Sequence, residues 1–167
     1  EVFKREGIRA VLIGGFAVNY YKVTRQSADV DFLITEEDFK KILPLFEEQG
    51  YKIDYAQEVF ARLKSDNFYL MDLDFMFVDR DTLDKIVKAA KVVAIAEQKF
   101  IVPSLEHLIA LKLHSLKYNP ALRENKDLSD IVELIRINKM QVKTKEFKEL
   151  CLKFGTKELY DKILQKI

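Results

Sequence analysis

Two stretches decide the reading of this chain: Ile8-Arg-Ala-Val-Leu-Ile-Gly14-Gly15 and, after a short gap, Arg25-Gln-Ser27-Ala-Asp29-Val-Asp31-Phe-Leu-Ile34. The first is apolar and β-branched and stops at paired glycines, the pattern of a buried strand ending in a tight turn. The second alternates and then turns fully apolar, which predicts another strand. Side chains two apart on a strand project from one face, so Asp29 and Asp31 stand side by side. Two carboxylates this close resist joint ionisation unless a cation lies between them. Hard carboxylate oxygens suit Mg²⁺, which takes one or two carboxylates and leaves its other positions to phosphate and water. Glycine lets the backbone approach a phosphate closely, and the N-terminus of a helix predicted over Phe16 to Tyr21 offers free N–H groups. Together these pieces describe a site for a triphosphate and a metal.

A third acid comes from farther along. Phe68–Val78 reads as one strand on which Asp72 and Asp74 share a face. Either residue can complete a metal cluster or act as base for an attacking hydroxyl, and a charge on so apolar a strand is costly without a partner. Each piece alone has an ordinary structural explanation: a turn, solvated acids, an edge strand guarded against aggregation. Their conjunction, in this order, points to chemistry.

Around this nucleus the first half alternates strands and helices. Thr35 caps a helix predicted from Glu36 to Gln49, with Phe39, Ile42, Leu43 and Phe46 on one face and Gly50 just beyond it. Extended segments follow at Tyr51–Asp54 and Glu58–Lys64, then a helix over Thr82–Ala90 and a hairpin of Val92–Ala96 with Lys99–Val102. After Pro103 the pattern is helical: Ser104 to Lys117, a break at Asn119-Pro120, then Lys126–Ile137, Thr144–Phe154 and Thr156–Ile167. Net charge changes sign at the same place, from −3 over residues 1–103 to +4 over residues 104–167. The expected domains are therefore 1–103, an α/β core, and 104–167, a helical region.

Composition bounds the rest. In 167 residues, 49% hydrophobic and 33% charged side chains exclude a disordered chain. The single cysteine, Cys151, excludes an intramolecular disulfide and a cysteine-based zinc site, and fits a reducing, cytoplasmic setting. No apolar run approaches the ~18 residues a membrane helix needs, and no basic start leads into an apolar stretch, so neither a membrane partner nor a signal peptide is expected. The first residue is Glu1 rather than Met, so the native N-terminus is expected upstream. A net charge of +1 without an arginine-rich tract does not mark a dedicated RNA binder.

The ordered motifs resemble the nucleotidyltransferase superfamily of DNA polymerase β. Its shared pattern is a hydrophobic strand, Gly-Gly or Gly-Ser, a spacer of about a dozen residues, Asp-h-Asp-h (h being hydrophobic), and a later acid on another strand. Arg25-x-Ser27-x-Asp29 looks like the Arg-x-Thr-x-Asp lead-in of small prokaryotic members. Val102-Pro-Ser-Leu-Glu-His-Leu-Ile-Ala-Leu-Lys112, followed by Lys126-Asp-Leu-Ser-Asp-Ile131, is similar to a second motif of those members. They include nucleotidyltransferase-like proteins and the toxins of abortive-infection toxin–antitoxin pairs. His107 stands where such proteins often have Asp, and Asn125 lies where a glycine is usual.

The resemblance implies an α+β fold, a mixed sheet flanked by helices and followed by a C-terminal helical region. It implies that Gly14 and Gly15 hold the triphosphate with Arg25 and Ser27 nearby, and that Asp29 and Asp31 bind Mg²⁺ in a two-metal site. Asp74 is preferred over Asp72 as third acid, because an apolar run follows it. Lys112 is expected to meet phosphate, with Lys126, Asp127 and Asp130 as a charged cluster nearby. The implied reaction moves a nucleotidyl group from an NTP to a hydroxyl on tRNA, a protein or a small molecule, with an antitoxin as a further partner. The rival reading is a degenerate module that binds NTP or a partner without turnover.

Overall fold

The computed structural model describes residues 2–167, apart from the side chain of Leu122. Two strands organise the first part of the chain. β2 (Asp29–Ile34) and β5 (Asp72–Phe77) run parallel and in register, so Phe32 lies opposite Phe75 and Asp31 opposite Asp74. Period-2 alternation sends the phenylalanines to one face of the sheet and the acids to the other. The aromatic face is covered by α3 (Glu36–Glu48), whose Phe39 and Phe46 rings lie 5.0 and 5.8 Å from Phe75. A short N-terminal helix, α1 (Val2–Arg5), adds Phe3 at 4.8 Å from Phe32. Phe75 is fully buried, and burial of such a ring contributes about 1.5–3 kcal/mol.

Among the described residues the sheet has seven strands in the order β3-β4-β5-β2-β1-β7-β6. The remaining strands are β1 (Val11–Leu12), β3 (Tyr51–Gln57), β4 (Phe60–Ser65), β6 (Lys91–Ile95) and β7 (Gln98–Val102). The β2–β5 and β1–β7 pairs are parallel and the other pairs antiparallel, so the sheet is mixed. Helix α2 (Gly14–Tyr20) follows β1 directly, and α4 (Arg80–Lys88) follows β5.

The chain divides into two compact units. One comprises the chain up to Ala17 together with Arg25–Ser104; the other comprises Val18–Thr24 with Leu105–Ile167. The second is helical: α5 (Leu105–Tyr118), α6 (Pro120–Arg123), a π-helical turn (Glu124–Leu128), α7 (Ser129–Ile137), α8 (Lys145–Phe154) and α9 (Lys157–Lys166). Its core includes Leu113, Leu116, Ile131, Leu134, Cys151 and Ile163. The 18–24 segment joins this unit, where the Asn138 side-chain amide donates to the Tyr21 carbonyl at 3.0 Å.

Three local expectations are corrected. The strand expected from Phe68 begins at Asp72. The Ser65 hydroxyl accepts from the Asn67 N–H at 3.2 Å and the Asn67 side chain accepts from the Tyr69 N–H at 3.0 Å, so side chains offer this backbone a turn instead of a ladder. The strand expected from Ile8 narrows to Val11–Leu12. Asn119-Pro120 ends α5 without ending helical structure. Proline has no N–H to lose at the first position of a helix, so α6 starts there, and the π-helical turn carries the chain into α7.

Candidate active site

The site is built on the acid face of the sheet. Ligand oxygens of Asp29, Asp31 and Asp74 lie within 4.8 Å of one another. The parallel register of β2 and β5 causes this, since it sets Asp31 directly across from Asp74. Asp72, opposite Asp29, shares their face but falls outside the group. Asp74 is only 7% exposed, whereas Asp29 and Asp31 are half-buried.

The glycines fit against these acids. The Ile13 N–H donates to the Asp31 carbonyl at 2.9 Å, so the turn after β1 is pinned beside β2. Gly14 has φ +62°, and a Cβ there would lie 1.8 Å from Asp31 Oδ2. A Cβ on Gly15 would lie 2.6 Å from Ser27 Oγ and 2.7 Å from Ser27 Cβ. Both positions therefore require glycine on steric grounds, and Gly14 on conformational grounds as well. The Ser27 hydroxyl donates to Asp29 Oδ1 at 2.8 Å and orients that carboxylate. Arg25 is half-buried in the segment leading into β2. The turn and the β2–β5 register thus bring Gly14, Gly15, Ser27, Asp29, Asp31 and Asp74 together at interior strands of the sheet.

Arg62 was not singled out from the sequence. It stands opposite Asp74 on β4, and its Nε and Nη2 donate to Asp74 Oδ1 and Oδ2 at 2.6 and 2.5 Å. Its Nη2 also lies 3.8 Å from Asp29 Oδ2. The hydrogen bonds to Asp74 hold the guanidinium still further above its ordinary range, so it is a cation throughout. The only sequence signal was the alternation Phe60-Ala-Arg-Leu-Lys, which placed an arginine on a strand without revealing its register.

Lys112 lies buried in the helical unit. It is 6% exposed on α5, and its ammonium donates to Asp127 Oδ1 at 2.9 Å and Asp130 Oδ2 at 2.6 Å, both buried carboxylates. Its charge is matched within the helical unit, where the π-helical turn delivers Asp127. Lys126, the neighbour of Asp127, is exposed.

Three carboxylates offering hard oxygens within 4.8 Å of one another suit a divalent cation of the Mg²⁺ class. Mixed sheet, glycine turn and acid cluster define a nucleotidyltransferase fold. Residues 1–165 match the family described as "Uncharacterised nucleotidyltransferase", and the chain belongs to that family. It is thereby a nucleotidyltransferase. No curated protein sequence gives a significant match.

Solved structures share the fold at low identity. ANT(2'')-Ia in complex with adenylyl-2''-tobramycin is 13% identical, with a TM-score of 0.67 over 92% of this chain and 90% of that one. The lincosamide antibiotic adenylyltransferase LnuA, lincomycin-bound, is 21% identical, with a TM-score of 0.56 over 81% and 91%. An antigenic nucleotidyltransferase-like protein from Paracoccidioides brasiliensis is 15% identical, with a TM-score of 0.56 over 98% and 87%. Among the described residues no helix is long and apolar enough to cross a membrane.

Proposed function

We propose that this chain transfers a nucleoside monophosphate from an NTP to a hydroxyl acceptor. The observation that carries this reading is the convergence of Asp29, Asp31 and Asp74 within 4.8 Å beside the Gly14-Gly15 turn. In the reaction the acceptor oxygen forms a bond to the α-phosphorus, the bond from that phosphorus to the β-phosphate oxygen breaks, and pyrophosphate leaves. A divalent cation held by the three aspartates would neutralise charge on the attacking and leaving oxygens. Gly14 and Gly15 let the turn close against Asp31 and Ser27, and the triphosphate would lie along that turn. Ser27 keeps Asp29 turned toward its partners. Arg25 would serve as a further phosphate contact, and the acceptor's proton would pass to a carboxylate of the cluster or to solvent.

The acceptor we favour is a small hydroxylated molecule, supported by the antibiotic substrates named for ANT(2'')-Ia and LnuA. The same chemistry would serve a toxin whose acceptor is RNA or protein and whose activity an antitoxin restrains. A cytoplasmic setting accords with the single, buried Cys151. The test is pyrophosphate release from each NTP with Mg²⁺, across aminoglycosides, lincosamides, tRNA and the protein alone. Release that needs both metal and one acceptor class supports transfer and names the acceptor. Saturable, metal-dependent NTP binding with no release for any acceptor favours the non-catalytic module.

A further inference from the structure

The Arg62–Asp74 pair is unusual in its position. Asp74 is the most buried of the three clustered acids, and both of its oxygens are taken by one guanidinium, which also sits 3.8 Å from Asp29. The arrangement follows from register, because Arg62 and Asp74 are direct partners on antiparallel strands. The proposed reaction calls for a divalent cation at these same three carboxylates, whose ligand oxygens lie within 4.8 Å of one another. That cation and the guanidinium cannot both sit at Asp74 without repulsion, since like charges a few ångströms apart at a partly buried site are strongly unfavourable. Arg62 has somewhere to go: its side chain is 34% exposed and long enough to swing out of the pair.

Building on the proposed nucleotidyl transfer, we propose that Arg62 is an exchangeable counter-ion of the acid cluster. It holds Asp74 while the cluster is without metal, releases an Asp74 oxygen when a divalent cation binds, and offers its freed donors to the nucleotide's phosphates. A planar guanidinium fork suits phosphate oxygens as well as carboxylate. Free metal must then displace a cation, whereas metal arriving with nucleotide gives that cation a new partner. Metal and nucleotide are thereby coupled through one side chain, and the coupling is reciprocal.

The experiment is a Mn²⁺ titration of the whole chain, with and without an α,β-methylene nucleoside triphosphate, on wild type, Arg62→Gln, Arg62→Lys and Lys64→Gln. Lys64 is a control two residues along β4 whose ammonium pairs with Asp54 at 3.0 Å instead. Arg62→Gln should bind Mn²⁺ alone more tightly than wild type, by about tenfold, and gain less from the nucleotide. Arg62→Lys keeps the charge without the fork and should fall between them, which preserves the test if the glutamine variant folds poorly. Lys64→Gln should match wild type. Equal or weaker Mn²⁺ binding in folded Arg62 variants would overturn the exchange while leaving the proposed function standing. Absence of Mn²⁺ binding in every protein, with nucleotide or without, would overturn both.

Discussion

A Cβ placed on Gly14 falls 1.8 Å from Asp31 Oδ2, on a residue whose φ is +62°. The glycine and the acid therefore occupy complementary space, and Gly14→Ala must displace the Asp31 carboxylate or the turn. The substitution should cost about 1–3 kcal/mol of stability through backbone strain. It should also abolish metal-dependent nucleotide binding in the protein that remains folded. Denaturant melts paired with nucleotide titration check this. An alanine variant that binds nucleotide as wild type does would show that Asp31 is not held by this contact.

Lys112 is predicted to act on stability before it acts on ligand. Lys112→Met leaves Asp127 and Asp130 buried without their cation, and breaking such a cluster costs about 3–5 kcal/mol. The loss should appear as a lower denaturation midpoint, with the nucleotide-dependent thermal shift retained in the folded protein. A lost shift at unchanged stability would instead return Lys112 to the phosphates.

These two residues also show what the sequence could and could not reveal. Asp29 and Asp31 were legible because period-2 geometry depends only on local spacing. Gly14 was legible as a close-approach position, though its contact with Asp31 needed the antiparallel β1–β2 pairing. Arg62 was illegible because its partnership with Asp74 depends on the register between β4 and β5, which no local pattern encodes. Lys126, Asp127 and Asp130 read as a charged cluster and Lys112 as a phosphate contact, but only the packed helical unit shows that Lys112 donates to Asp127 and Asp130. Phe68 and Tyr69 read as strand because their β propensity is high. The turn made by Ser65 and Asn67 overrode it and left Phe68 97% exposed.

Asp38 predicts a pH dependence. The Arg80 hydrogen bond, Nη1 to Oδ2 at 2.7 Å, is the main cause that holds its carboxyl below the ordinary range. A depressed pKa contributes stability above the unfolded value, and this is lost as pH falls through the folded one. Wild type should therefore exceed Asp38→Asn at neutral pH by about 1–2 kcal/mol, tempered by the exposure of Arg80. The gap should close below about pH 4. A gap that is constant with pH would assign the effect to packing at the start of α3.

Cys151 is fully buried on α8, and burial pushes its thiol up to about 12. Thiolate is the reactive form, so iodoacetamide should label native protein only as fast as the helical unit opens, and promptly in denaturant. Rapid labelling of native protein would mean that this unit opens far more readily than its packing implies.

The central claim is that Asp29, Asp31 and Asp74 form the metal-dependent nucleotide site. The most direct measurement is thermal unfolding with each NTP, with and without Mg²⁺, for wild type and for Asp29→Asn with Asp31→Asn. Ligand-dependent shifts are the quantity to compare, because relief of repulsion can itself raise the variant's baseline. Ligand at about 100 times its Kd contributes about 2.7 kcal/mol, or roughly 5–10 °C for a chain of this size. The account predicts a Mg²⁺-dependent shift in wild type that the double variant loses. No shift with any NTP at saturating Mg²⁺, or an equal shift in the variant, would contradict it.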